Sequence, residues 1–187
     1  MINLYGWQPT IGDPTFLGWC TVLAYCFAFL LSARVVSCAE RCFTSDTQKQ
    51  VWLWAAMAGL MLFLAINKQL DLQSFFTAWA KYNAREYGWY EHRRSIQMGF
   101  IVAVIIAGFC ALVFLLVLFR KQLKNNNLAL AGLCFLVSFI VIRAASFHHF
   151  DRLIGVHLGV LRINHLFELS GIGMICANAL TLLRRVR

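Results

Sequence analysis

Long apolar blocks separated by short polar segments organise this chain, rather than apolar stripes at helical spacing. The blocks run Phe16 to Ala33, Val51 to Ile66, Met98 to Phe119, Leu128 to Ile142 and Leu166 to Leu183. An α-helix needs roughly 20 apolar residues to cross a hydrocarbon core of about 30 Å. The second and fourth blocks hold 16 and 15 residues. At ~1.5 Å per residue these reach only about 22 to 24 Å, so each must draw on its polar flank. The pattern therefore predicts spans over 15–36, 51–71, 96–119, 128–147 and 164–183. The fold class expected is an all-α integral membrane protein, a bundle of about five transmembrane helices formed by a single polytopic domain over residues 1–187. Four spans plus a re-entrant or interfacial segment over 148–163 is the rival count, because "LIGVHLGVLRINHLF" is itself fairly apolar.

One segment does show helical amphipathicity. "LQSFFTAWAKY" places Leu72, Phe75, Phe76, Trp79 and Tyr82 on one face and Gln73, Thr77, Lys81 and Asn83 elsewhere. This predicts an interfacial helix between spans 2 and 3, stopped near Gly88 and able either to cover a site or to fill space between bundle and lipid. Trp52, Trp54, Trp79, Trp89 and Tyr90 are expected as anchors at the membrane surface.

Composition agrees with the block pattern: 60% of residues are hydrophobic, 13% are charged, and mean hydropathy is +0.67. The net charge of +9 comes partly from basic ends. Arg34, Arg41 and Lys49, then Arg120, Lys121 and Lys124, then Arg184, Arg185 and Arg187 mark cytoplasmic segments, whereas the first 14 residues carry no Lys or Arg. The N-terminus is thus expected outside and the C-terminus in the cytoplasm of a bacterial-type inner membrane. The start of the chain lacks the basic region and small-residue site of a cleavable leader, so the first span should remain as an anchor. No basic stripe interleaved with aromatics is long enough to follow a nucleic-acid backbone, which excludes nucleic acid as a partner. Membrane lipids, a membrane-protein partner or a second copy of the chain are the partners such a surface fits. Of seven Cys, five lie inside apolar blocks as small buried hydrophobes. Cys38 and Cys42 share a cytoplasmic loop and should be reduced.

Candidate chemistry falls on the outer side. "NKQLDLQ", "YGWYEHRRSIQ", "RAASFHHFD" and "INHLFELSG" all lie there and contain every His, whereas the cytoplasmic segments read as ordinary solvated residues such as Ser45, Thr47, Gln48 and Asn125 to Asn127. Asn67 and Asp71 are i,i+4, as are Asn164 and Glu168; His165 with Glu168 and His148 with Asp151 are i,i+3. Polar groups this close to lipid must face partners inside the bundle, either as helix-to-helix hydrogen bonds or as a site. Arg143 interrupts an apolar block, and Asp71, Asp151 or Glu168 is its expected counter-ion. His148, His149, Asp151 and Glu168 are the candidate acid/base residues. Asn67, Asp71, Arg93, Arg94, Gln97 and Arg143 are candidates for binding substrate. His148, His149, His165 and Glu168 offer donors for a divalent metal such as zinc, although no H-E-x-x-H or H-x-x-x-H spacing accompanies them. Imidazoles confined to one surface exclude haems stacked through the membrane depth.

Three functions remain. The first is a membrane-embedded enzyme acting on a lipid or lipid-linked substrate. The second is a non-catalytic subunit or assembly factor that docks a partner through the same residues. A small channel or transporter is the weakest, since no polar stripe continues through the cytoplasmic halves of the spans.

Overall fold

Helix α1, Phe16–Ser37, buries Gly18, Thr21, Tyr25, Ala28, Ser32 and Val35, a stripe that advances by alternate steps of three and four residues. That repeat is the seam of helices packed side by side at a shallow angle. In the computed structural model, which describes residues 11–70, 72–88, 93–145, 157–158 and 161–186, the same spacing recurs on three more helices. Helix α3, Thr47–Leu70, buries Gln50, Trp54, Met57, Met61, Leu64 and Lys68. The last helix, α7, Ile163–Arg184, buries Glu168, Ile172, Ile175, Ala179 and Leu182, and α6, Leu123–Ala145, buries Asn126, Ala129, Leu133 and Leu136.

These helices pack in the order α3, α1, α7, α6, with α5, Arg93–Leu118, lying chiefly against α6. The contact between α6 and α7 is the most extensive beside that of α1 with α3. Its cause is a pair of glycines: a Cβ added to Gly132 would stand 2.5 Å from the Gly171 carbonyl oxygen, and one added to Gly171 would stand 2.9 Å from that of Gly132. Backbones approach this closely only where side chains are absent, the small-residue packing common between membrane helices.

The short second and fourth blocks become full helices by taking in polar flanks at both ends. Helix α3 incorporates residues 47–50 and 67–70, and 24 residues at ~1.5 Å rise span about 36 Å. Helix α6 likewise takes in 123–127 and 143–145. Among the described residues three helices are long and apolar enough to cross a membrane: Phe16–Ser37, Thr47–Leu70 and His165–Arg184, with mean hydropathies of 1.9, 1.6 and 1.6. Shorter apolar stretches, Ile105–Leu118 and Asn125–Val141, lie within α5 and α6.

Among the described residues the remaining helices are α2, Ala39–Cys42, α4, Leu72–Glu86, and a 3-10 turn, Arg120–Gln122, between α5 and α6. Helix α4 makes no extensive contact with any other described element. It ends before Gly88, whose φ of 70° is the left-handed conformation that glycine adopts without strain after a helix. Most of the proposed re-entrant segment over 148–163 lies outside the described residues. Its described part pairs β1, His157–Leu158, antiparallel with β2, Leu161–Arg162, and residue 163 already begins α7.

Candidate functional site

The start of α1, the end of α3 and the start of α7 meet at one end of the bundle, and their charged side chains converge there. Lys68 lies in the last turn of α3, where the helix dipole favours a cation. Its ammonium donates to Glu168 Oε2 at 3.0 Å and stands 3.5 Å from Asp13 Oδ2. Tyr25 of α1 donates its hydroxyl to the other oxygen of Glu168 at 2.9 Å. Lys68 and Glu168 retain only 5% and 3% side-chain exposure, so the pair is removed from water. A buried ion pair persists only when the remaining polar atoms are also satisfied, and Tyr25 meets that need on the carboxylate side.

Asp13 reaches this pair from outside the helices. Thr15, the N-cap of α1, accepts from Gly18 N–H at 3.0 Å and donates its hydroxyl to Asp13 Oδ1 at 2.6 Å. The chain is tied to α3 by Gly12 N–H, which donates to the Gln69 carbonyl at 2.8 Å and occupies one of the carbonyls left free at that helix end. A Cβ on Gly18 would come within 2.5 Å of the Asp13 carboxyl carbon, so glycine is what lets the acid fold back over the helix start. Burial pushes the Asp13 carboxyl up, but the Thr15 hydroxyl, then the Lys68 ammonium, outweigh it and hold the group below its ordinary 3.8. On its other side Asp13 Oδ2 lies 3.6 Å from His165 Nε2, within electrostatic reach but too far for a hydrogen bond.

This end is not fully satisfied. Both ring nitrogens of His165 and both amide atoms of Gln69 are buried without a hydrogen-bond partner among the described residues. Such groups are few in folded proteins and each carries a cost of about 1–3 kcal/mol.

The opposite end of the bundle holds a second buried polar cluster. Asn126 has φ −126° and ψ 17°, a break in α6. Its amide donates to Gln50 Oε1 at 2.6 Å and accepts from Trp54 Nε1 at 3.0 Å. The break separates the Asn125 carbonyl from Ala129 N–H, partners i and i+4 in a straight helix. Asn178 of α7 replaces that bond: its Oδ1 accepts from Ala129 N–H at 3.1 Å and its Nδ2 donates to the Asn125 carbonyl at 3.0 Å. An inserted side chain is a recognised cause of a kink, and here it restores both backbone partners.

Two expectations are corrected by this cluster. Asn126 is fully buried, not solvated, because the kink turns it towards α3. Trp54 is also fully buried, not an anchor at the membrane surface, because its indole N–H is used inside the bundle; Trp52 and Trp79 are exposed. The side chain of Arg143 lies outside the described residues; Glu168, one of its expected counter-ions, bonds Lys68 and Tyr25.

Of the residues singled out in the sequence, His165 and Glu168 are brought into one cluster through Asp13 and Lys68. Asn67 is half-buried beside them and takes no part in the cluster's hydrogen bonds. His148, His149, Asp151 and Asp71 lie outside the described residues, and the described part of Arg93, Arg94, Gln97 and Arg143 is the backbone, at the start of α5 and the end of α6. No group of three or more His, Cys, Asp or Glu able to hold a metal occurs among the described residues. Of the suggested zinc donors, Glu168 faces the Lys68 ammonium at the position a metal cation would need.

Asp13, Tyr25 and Gln69 were not among the sequence candidates, and Lys68 entered only as one of the basic residues of the outer segments. Lys68 and Gln69 stand inside the polar "NKQLDLQ" stretch, and burial of the helix end that carries them was a readable signal. Asn178 interrupts the apolar run "GIGMICANALTLL", and a lone amide in such a run implies a helix-to-helix hydrogen bond. No protein-family model, curated protein or solved structure matches the chain.

Proposed function

We propose that this protein is a multi-pass membrane enzyme acting on a lipid or lipid-linked substrate, with the Asp13, Lys68, His165 and Glu168 cluster as its working site. The observation that carries the reading is unused hydrogen-bonding capacity: among the described residues His165 and Gln69 are buried without hydrogen-bond partners at the bundle end that holds a well-satisfied ion pair. A structural lock gains nothing from such groups, whereas a site that receives a ligand does. His165, flanked by the Asp13 carboxylate, is the group to exchange a proton with substrate. Lys68, held by Glu168, is the charge to face an oxyanion that develops in the reaction.

The remaining outer residues extend this site in the proposal. Arg93, Arg94 and Gln97 form a positive rim for a headgroup, and Asn67, Asp71 and Arg143 line the approach. His148, His149 and Asp151 supply further acid/base or metal donors. Helices α1, α3, α5, α6 and α7 serve as five spans, α4 lies in the interface, and the site opens to the outside of a bacterial-type inner membrane with the C-terminus in the cytoplasm.

The test is conversion. Purified protein in nanodiscs made from a bacterial lipid extract is incubated and the lipids are compared by mass spectrometry. Loss of one lipid species with the native chain, absent with His165→Asn of equal thermal stability, is the expected result; unchanged lipids refute the enzyme. A second reading, a non-catalytic subunit that docks a partner, is favoured by α5. This helix packs chiefly on α6 and exposes Ile106, Phe109, Phe114 and Val117.

A further inference from the structure

Resting on the reading of this cluster as a ligand site, we infer that its ligand carries one negatively charged oxyanion on an apolar body, and that Asp13 occupies the oxyanion's place until the ligand arrives. Three observations meet here. The first is distance. Asp13 Oδ1 is firmly held by Thr15 at 2.6 Å, yet Oδ2 stands 3.5 Å from Lys68 Nζ and 3.6 Å from His165 Nε2. Charge-assisted N–H to carboxylate bonds close to about 2.7–2.9 Å, so Asp13 fills the position electrostatically without making the bonds available there.

The second is the state of the donors. An ammonium has three protons to give, and Glu168 takes one of them at 3.0 Å. His165 and the Gln69 amide have no hydrogen-bond partner among the described residues. An oxyanion set a few tenths of an ångström deeper than Asp13 Oδ2 gives Lys68 Nζ and His165 Nε2 the hydrogen bonds that Asp13 does not make.

The third is attachment. Asp13 lies on the non-helical segment before α1, fastened to α3 by the backbone bond from Gly12 N–H, and its side chain is 22% exposed against 5% for Lys68. It is the member of the cluster that can leave without disturbing a helix.

Charge sets the valence of the ligand. Lys68 is already matched by Glu168, so a ligand that replaces Asp13 one for one conserves the balance if it brings a single negative charge; a dianion adds an uncompensated charge to a site shielded from water. The surround sets its body: the three helices that build the cluster expose Phe16, Ile66, Leu70, Leu166 and Phe167 on their outer faces, so a ligand reaches the cluster from apolar surroundings. A fatty-acid carboxylate and a phosphodiester lipid both answer this chemistry.

The full chain in phosphatidylcholine nanodiscs is titrated with laurate, with a short-chain phosphatidylglycerol and with inorganic phosphate, and binding is read from the rise in unfolding temperature. Laurate, the phosphatidylglycerol or both should stabilise the protein, which of them does so identifying the source, and inorganic phosphate should not. Asp13→Ala removes the internal competitor and should tighten the apparent affinity by about tenfold, as expected where the competent state is a minor population. His165→Leu should weaken it with no loss of unfolding temperature in the absence of ligand. Equal affinities for the native chain and Asp13→Ala, stabilisation by inorganic phosphate alone, or no stabilisation by any of the three overturns the inference. Binding is measured without turnover, so lipid conversion without oxyanion binding removes this inference alone, and binding without conversion removes only the enzyme.

Discussion

The two ends of the helix bundle bury polar side chains in different ways. At the amide end, Gln50, Trp54, Asn126 and Asn178 bond to one another and to the backbone, and none of these four has a buried side-chain atom without a partner among the described residues, the Ser32 hydroxyl on that half of α1 being the exception nearby. At the charged end, Lys68, Glu168 and Tyr25 satisfy one another, but His165 and Gln69 do not. A closed network specifies one arrangement of helices, and a partly open one spends stability that folding alone does not require. The difference separates a cluster that holds the fold from a cluster with capacity left for a ligand.

Breaking the ion pair should give the largest effect. Lys68→Met leaves the Glu168 carboxylate buried without its cation and should destabilise the protein by about 3–5 kcal/mol. Unfolding in mixed micelles measures this, and Lys68→Met combined with Glu168→Leu should recover most of the loss. A single variant as stable as the native chain would mean that the pair is not buried in the folded protein.

Opening the amide end should cost less. Asn178→Leu leaves the Asn125 carbonyl and Ala129 N–H without the side chain that bridges them, at about 1–3 kcal/mol for each unsatisfied group. Amide hydrogen exchange at Ala129 should accelerate in parallel. Exchange and stability both unchanged would show that α6 straightens and restores its own bond, so that the amide splint is dispensable.

The contrast between the ends was only half legible in the sequence. Apolar block length identified the helices, and polar flanks supplied the missing turns of α3 and α6 because residues such as Lys68 bury their heads against partners on other helices. The i,i+3 spacing of His165 and Glu168 puts both on one face of α7, and Lys68 and Asp13 meet them there. Their partners were not legible: whether Lys68 or Arg143 meets Glu168 depends on the register between helices, which spacing along one helix does not fix. Asp13 lies in a segment without basic residues and was informative there only about orientation. At the amide end, Asn125 to Asn127 follow three basic residues and resemble a solvated loop, and it takes the kink to turn one of them inward.

The most direct measurement of the distinction between a holding end and a working end is the unfolding stability of His165→Leu and Gln69→Leu beside that of Asn178→Leu, in the same micelles and without added ligand. If the unsatisfied groups serve a ligand rather than the fold, replacing either with a leucine removes a desolvation cost of about 1–3 kcal/mol, and both variants should be as stable as the native chain or more so while Asn178→Leu is less stable. Losses for His165→Leu and Gln69→Leu as large as that for Asn178→Leu would contradict the account, because both ends would then be holding the fold together.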